Sequence, residues 1–232
     1  MKLKAQIPNL LTLLNLLFGV IGIIQVLDGE ILQGAFFVLI AAGFDFFDGF
    51  AARLLKVQSD MGKELDSLAD VVSFGVLPGL ILFEMATSST DAGSSYLPYL
   101  TLIVPMLSAY RLAKFNLDTR QSERFIGLPT PANALFLSTL PHLGLQWPAL
   151  GNWLESPVVL IVVAWAFALL LVSELPLIAL KFKSFTFSKN RFRYFLILLS
   201  LVMFAWLQLA GIPIVILAYI GLSVIENATG SE

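Results

Sequence analysis

Residues 31–86 read ILQGAFFVLIAAGFDFFDGFAARLLKVQSDMGKELDSLADVVSFGVLPGLILFEMA. Two apolar runs, 31–54 and 65–86, are long enough to cross a bilayer as helices and are joined by a short polar connection. Asp45 and Asp48 stand three apart near the end of the first run, and Asp66 and Asp70 stand four apart at the start of the second. Each spacing puts its pair on one helix face. Antiparallel helices joined between Gly49 and Gly62 can then aim both carboxylate pairs at one spot near the membrane interface.

The rest of the chain has the composition this reading needs. Of 232 residues, 58% are hydrophobic and only 13% charged, too few polar groups to cover a soluble domain of this size. The expectation is an all-α, polytopic transmembrane bundle forming one membrane domain, 1–232. The net charge of −2 gives no reason to expect nucleic acid as a partner, and the lack of cysteine excludes disulfides and thiolate chemistry. The N-terminal run has a basic start like a signal peptide, but about 20 apolar residues are longer than a usual signal core, so it is read as a retained first span.

Eight spans are expected, near 7–27, 31–54, 65–86, 95–117, 131–148, 155–180, 192–209 and 211–226. The last two are divided by Gly211 and Pro213; joined, they would overshoot one bilayer. All 14 lysines and arginines fall at the N-terminus or in the second, fourth and sixth connections. That alternation predicts a cytoplasmic N-terminus, cytoplasmic basic connections and, with eight spans, a cytoplasmic C-terminus. Trp147 and Trp153 bracket the fifth connection as interfacial anchors.

Four carboxylates at one place repel one another and lose hydration, and a divalent cation relieves both costs. Oxygen ligands without Cys or His suit Mg²⁺, Mn²⁺ or Ca²⁺. Arg53 adds a planar donor set suited to phosphate, and Gly49, Ala51, Ala52 and Gly62 leave room for a ligand. Together these residues point to phosphoryl chemistry. Intramembrane acids also serve cation and proton transporters, and acidity alone does not separate the two readings.

The order of residues does. Asp45, Asp48-Gly49, Ala52-Arg53, Gly62, Asp66 and Asp70 stand at the spacing of the CDP-alcohol phosphotransferase signature, and the chain resembles that family at every motif position. The stretches IPNLLTLLNLLFG (7–19), LADVVSFGVLPG (68–79), YRLAKFN (110–116) and FIGLPTPANA (125–134) resemble its phosphatidylserine synthase branch. The resemblance implies a catalytic core over 1–134 with additional helices over 135–232, a homodimer, and a site facing the cytoplasm from the cytoplasmic membrane. It implies transfer of a phosphatidyl group from CDP-diacylglycerol to L-serine, with release of CMP.

It also implies roles. Asp45, Asp48, Asp66 and Asp70 would hold a divalent cation, with Asp66 and Asp70 catalytic and Asp70 the general base in a direct displacement. Asn9, Thr12, Asn15, Gly49, Ala52, Arg53 and Gly62 would bind the CDP-lipid. From their place in the fourth connection, close to the cluster, Arg111, Lys114 and Arg120 are expected to meet serine or phosphate by charge-assisted hydrogen bonds, and Asn133 to cap the next helix or enter the pocket. Glycerol 3-phosphate or an inositol phosphate is the alternative acceptor, and an archaeal ether lipid the alternative donor. His142 in the fifth span is read as structural, and the basic run 181–193 as a contact for anionic lipid.

Overall fold

The computed structural model describes residues 3–88, 96–118, 125–178 and 187–229. Among them nearly everything is helix, as expected where the backbone must satisfy its own hydrogen bonds in lipid. Helix α1 (Leu3–Leu27) turns through Asp28–Glu30 into α2 (Ile31–Leu55). Helix α3 (Asp60–Asp70) runs through a π-helical segment, Val71–Val76, into α4 (Leu77–Ser88). A 3₁₀ turn, Leu97–Leu102, leads into α5 (Ile103–Leu117), and strand β1 (Phe125–Ile126) into α6 (Thr130–Gln146). Then come α7 (Pro148–Leu154), α8 (Pro157–Val172), strand β2 (Pro176–Leu177), α9 (Phe187–Leu207) and α10 (Ile212–Thr229).

The connection between α2 and α3 is shorter than the sequence implies. Ser59 caps α3, its hydroxyl accepting the Gly62 N–H at 3.1 Å, so Gly62 lies inside the first turn and only 56–59 remain outside helix. Lys56 ends α2 in the left-handed conformation at φ 53°. In the fifth connection, α7 bends 85° from α8 and keeps Trp153 exposed. The sixth apolar run extends to 180, yet α8 stops at Val172 because Ser173 becomes extended (φ −65°, ψ 154°) and Pro176 cannot donate to a helix.

The helices of 190–229 fold back on each other. A straight helix of 40 residues would reach about 60 Å, twice the hydrocarbon thickness. Instead Gln208 takes φ 50° and a 3₁₀ turn, Gln208–Gly211, reverses the chain. Arg193 of α9 then lies 3.6 Å from Glu226 of α10, which only an antiparallel pair allows. The turn falls beside the Gly211–Pro213 break expected from sequence.

Two apolar clusters hold the bundle. Val26, Val38, Phe74, Leu77 and Ile81 join α1, α2 and the π–α4 rod, while Leu82, Val104, Leu137, Leu160, Phe167 and Ile216 join α4, α5, α6, α8 and α10. Where α1 crosses the π segment, backbones come very close. A Cβ at Gly19 would lie 2.9 Å from the Ser73 Cα and 2.2 Å from its Oγ. Small residues at such crossings are how membrane helices approach. The faces left over carry exposed Ile7, Leu10, Leu17, Ile24, Val162 and Leu201, as lipid contact requires.

Strands β1 and β2 pair antiparallel, Phe125 opposite Leu177 and Ile126 opposite Pro176. Gly127 follows at φ 77°, and a Cβ there would sit 2.4 Å from the Leu171 carbonyl oxygen. Gly127→Ala is therefore expected to cost about 1–3 kcal/mol, from left-handed strain plus a backbone clash, read as a lowered unfolding temperature.

Candidate active site

Helices α2 and α3 bring their acids together as their spacing requires. One carboxylate oxygen from each of Asp45, Asp48 and Asp66 lies within 4.8 Å of the others. This trio is the acidic cluster found among the described residues, and its hard oxygen donors, without nitrogen or sulfur, can hold a divalent cation. The donor set fits such an ion on a second ground. Asp66 Oδ1 is buried and has no hydrogen-bond partner. A buried carboxylate oxygen left in that state is costly unless a cation meets it.

Helix α1 crosses above both acid pairs and fixes two of the carboxylates. The Thr12 hydroxyl donates to Asp48 Oδ2 at 2.6 Å, and the Asn15 amide donates to Asp70 Oδ1 at 3.1 Å. Ser73 in turn donates to the Asn15 carbonyl at 3.0 Å, across the Gly19 contact. Asp70 is buried, and it is not one of the 4.8 Å trio. The four aspartates thus divide into three that converge and one held by an amide.

A cavity of about 460 Å³ opens beside the trio. Asn9, Thr12, Gly49, Ala52, Arg53 and Gly62 all line it together with Asp48 and Asp66. Six residues expected to bind the nucleotide lipid are therefore in one wall, while Asn15 lies deeper, on Asp70. Arg53 is exposed and folds back over Gly49, where a Cβ would meet its Nη1 at 3.4 Å. At Gly62 a Cβ would stand 3.3 Å from Asn9 Oδ1, so a small residue lets α1 approach the cavity rim. Ser59, Asp60 and Lys63 also line the cavity and carried no signal in the sequence beyond their place in the connection.

A second group of polar residues is buried on α5 and α6. The buried Arg111 of α5 is within electrostatic reach of Asp70, and its Nη1 donates to the Thr130 hydroxyl at 3.1 Å. Asn133, one turn further along α6, is fully buried, and neither atom of its amide has a partner. The Ser108 hydroxyl, one turn before Arg111, and Asn15 Oδ1 are likewise buried without partners. Buried amides normally pair, since each orphan costs about 1–3 kcal/mol, so the Asn133 amide and the Ser108 hydroxyl are candidate contacts for a polar ligand.

The remaining candidates separate. Lys114 Nζ is bonded to Glu174 Oε1 at 2.6 Å, in the connection after α8. Arg120 lies outside the described residues, as do Arg124, Lys181 and Lys183. His142 packs edge-on against Phe36, 5.8 Å between ring centres, near the start of α2 and away from the acids at its end. Ser73, Ser108 and Thr130 were not legible in sequence, because single hydroxyls in apolar helices usually bond to their own helix.

Residues 5–172 match the family described as CDP-alcohol phosphatidyltransferase. The chain belongs to the CDP-alcohol phosphatidyltransferase family. That places it among membrane-bound phosphotransferases, and the matched segment contains all four aspartates, the cavity and the Arg111–Thr130 pair. Among curated relatives, the CDP-diacylglycerol–serine O-phosphatidyltransferase of Bacillus subtilis is 35% identical over 138 residues, 58% of this chain and 74% of that protein. The protein of the same description from Mycobacterium leprae is 34% identical over 178 residues, 74% of this chain and 57% of its own. The archaetidylserine synthase of Methanothermobacter thermautotrophicus is 32% identical over 136 residues, 57% of this chain and 56% of that protein. The chain therefore spans about three quarters of the first of these relatives and somewhat over half of the other two.

Proposed function

We propose that this protein transfers a phosphatidyl group from CDP-diacylglycerol to the hydroxyl of L-serine, giving phosphatidylserine and CMP. The observation that carries the reading is the convergence of Asp45, Asp48 and Asp66 beside a cavity lined by Arg53, Gly49 and Gly62. Relatives described as serine phosphatidyltransferases supply the acceptor. An ion or proton pathway, the other class that intramembrane acids allow, gives way to the family membership.

The cavity takes the CDP head: Arg53 offers its guanidinium to a phosphate, and Gly49, Ala52 and Gly62 leave the walls bare enough for close approach. Asp45, Asp48 and Asp66 would hold a divalent cation, Mg²⁺, Mn²⁺ or Ca²⁺ by the chemistry of the donors, and it would supply neutralisation of the diphosphate charge. Serine enters on the Arg111 side, its carboxylate on the guanidinium and its polar ends on Asn133 and Ser108. Asp70 accepts the serine hydroxyl proton as the oxygen attacks the lipid-bearing phosphorus. The bond from that phosphorus to the CMP oxygen breaks, and CMP leaves through the cavity. The Asn15 amide holds the Asp70 carboxylate in place through the exchange. Direct displacement needs no other nucleophile.

We read the basic connections as cytoplasmic, the membrane as the cytoplasmic one, and the assembly as a homodimer, following the charge alternation and the family pattern. Purified protein given CDP-diacylglycerol, Mg²⁺ or Mn²⁺ and one acceptor at a time should release CMP with serine. Release with glycerol 3-phosphate or an inositol phosphate but not serine would reassign the acceptor. Because one relative is an archaetidylserine synthase, the ether-linked donor belongs in the same series. Arg111→Lys and Asn133→Ala should each raise the serine KM about tenfold or more and leave the donor KM within about twofold, because fork geometry and a buried amide are lost on the acceptor side alone.

A further inference from the structure

The family match ends at residue 172, but the chain beyond it is tied to the acceptor side of the site. Residues 173–178 leave α8 without forming helix, so their backbone groups need partners inside the bundle. One edge of this strap meets the chain entering α6. Gly127 N–H donates to the Leu175 carbonyl at 2.9 Å, beside the β1–β2 pairing, and Leu128 N–H to the Leu170 carbonyl in the last turn of α8 at 2.9 Å. The Lys114–Glu174 bond adds a third tie, from the end of α5.

The other edge meets α10. Tyr219, Ser223 and Asn227 stand four apart and so share one face. The Tyr219 hydroxyl donates to the Ile178 carbonyl at 3.1 Å, Ser223 Oγ accepts the Ile178 N–H at 3.2 Å, and the Asn227 amide donates to the Pro176 carbonyl at 2.6 Å. Ser223 is fully buried. A polar stripe on a membrane helix is costly unless it has such partners, and here its partners are the only non-helical backbone between α8 and α9 among the described residues. From the strap the path to the site is short. β1 leads through Gly127, Leu128 and Pro129 to Thr130, which receives the Arg111 guanidinium.

We propose, resting on the acceptor assignment above, that Tyr219, Ser223 and Asn227 are positioning residues for acceptor binding. They fix the strap, the strap fixes β1, and β1 sets where Thr130 holds Arg111. The C-terminal hairpin then supports the acceptor site, with Tyr219 itself within electrostatic reach of Arg111, while the CDP cavity is built from α1, α2 and α3 and lined by none of its residues.

The test compares wild type, the double variant Ser223→Ala with Asn227→Leu, and the conservative Ser223→Thr, in lipid nanodiscs. Hydrogen exchange at the Gly127 amide, bonded to the strap, should quicken about tenfold or more in the double variant and stay unchanged in α1–α3. Its serine KM should rise about tenfold with the CDP-diacylglycerol KM within about twofold, and Ser223→Thr, which keeps the hydroxyl, should behave as wild type. Unchanged exchange overturns the proposal, as does faster exchange with an unmoved serine KM or an equal loss toward both substrates. If wild type releases no CMP with serine, the acceptor assignment fails, and the exchange arm together with the KM for whichever acceptor works decides the positioning role.

Discussion

Asp66→Asn is expected to make the metal-free protein more stable while abolishing its activity. Three carboxylates within 4.8 Å repel in pairs, each pair by about 3 kcal/mol at an effective dielectric of 20 if both are charged. Removing Asp66 eliminates two of the three pairs and leaves a neutral amide that fills the same space. In EDTA the variant should therefore unfold at a higher temperature than wild type. Adding Mg²⁺ or Mn²⁺ should reverse the order, because wild type gains binding energy linked to folding and the variant has lost a ligand. CMP release should fall roughly 10³-fold, the scale of losing electrostatic stabilisation at the reacting phosphate. An equal metal-induced shift in the two proteins would remove the trio from the metal site.

Asp70→Asn is expected to fail differently. CMP release should drop by about 10²–10⁴-fold, the contribution of a positioned general base. The metal-induced rise in unfolding temperature should survive, since Asp70 lies outside the converging trio. Asparagine keeps an oxygen where Asn15 donates, so the local hydrogen bond and the packing under α1 persist. Loss of activity with intact metal stabilisation would separate base from ligand. Loss of both would make Asp70 a fourth ligand, the role the family resemblance also implies for it.

The acid pairs were legible because their information is local. Spacings of three and four fix a face, and a short polar connection fixes the pairing of two faces. Span boundaries followed from apolar length, with errors where a cap or an extended residue decided the end, at Ser59 and Ser173. Asn9, Thr12 and Asn15 were named through the resemblance as one binding set, but their division of labour was not legible: Asn9 lines the cavity, Thr12 holds Asp48 and Asn15 holds Asp70. Lys114 was expected at the acceptor from its place in the fourth connection. Its observed partner, Glu174, is 60 positions away, and no local pattern encodes that contact. The stripe of Tyr219, Ser223 and Asn227 was visible in principle as polar residues at helical spacing, yet its meaning depended on a strap that sequence read as more helix.

The connection of residues 56–59 has a consequence for how the acid cluster is assembled. Its Lys56 and Val57 N–H groups are already tied back to Arg53 and Ala52 at 3.2 and 3.1 Å. Even fully stretched, the segment from Leu55 to Asp60 reaches only about 18 Å. That reach bounds how far the facing ends of α2 and α3, and with them the two halves of the acid cluster, can part. Four residues of chain thus bring the facing acids to one place before any ligand arrives.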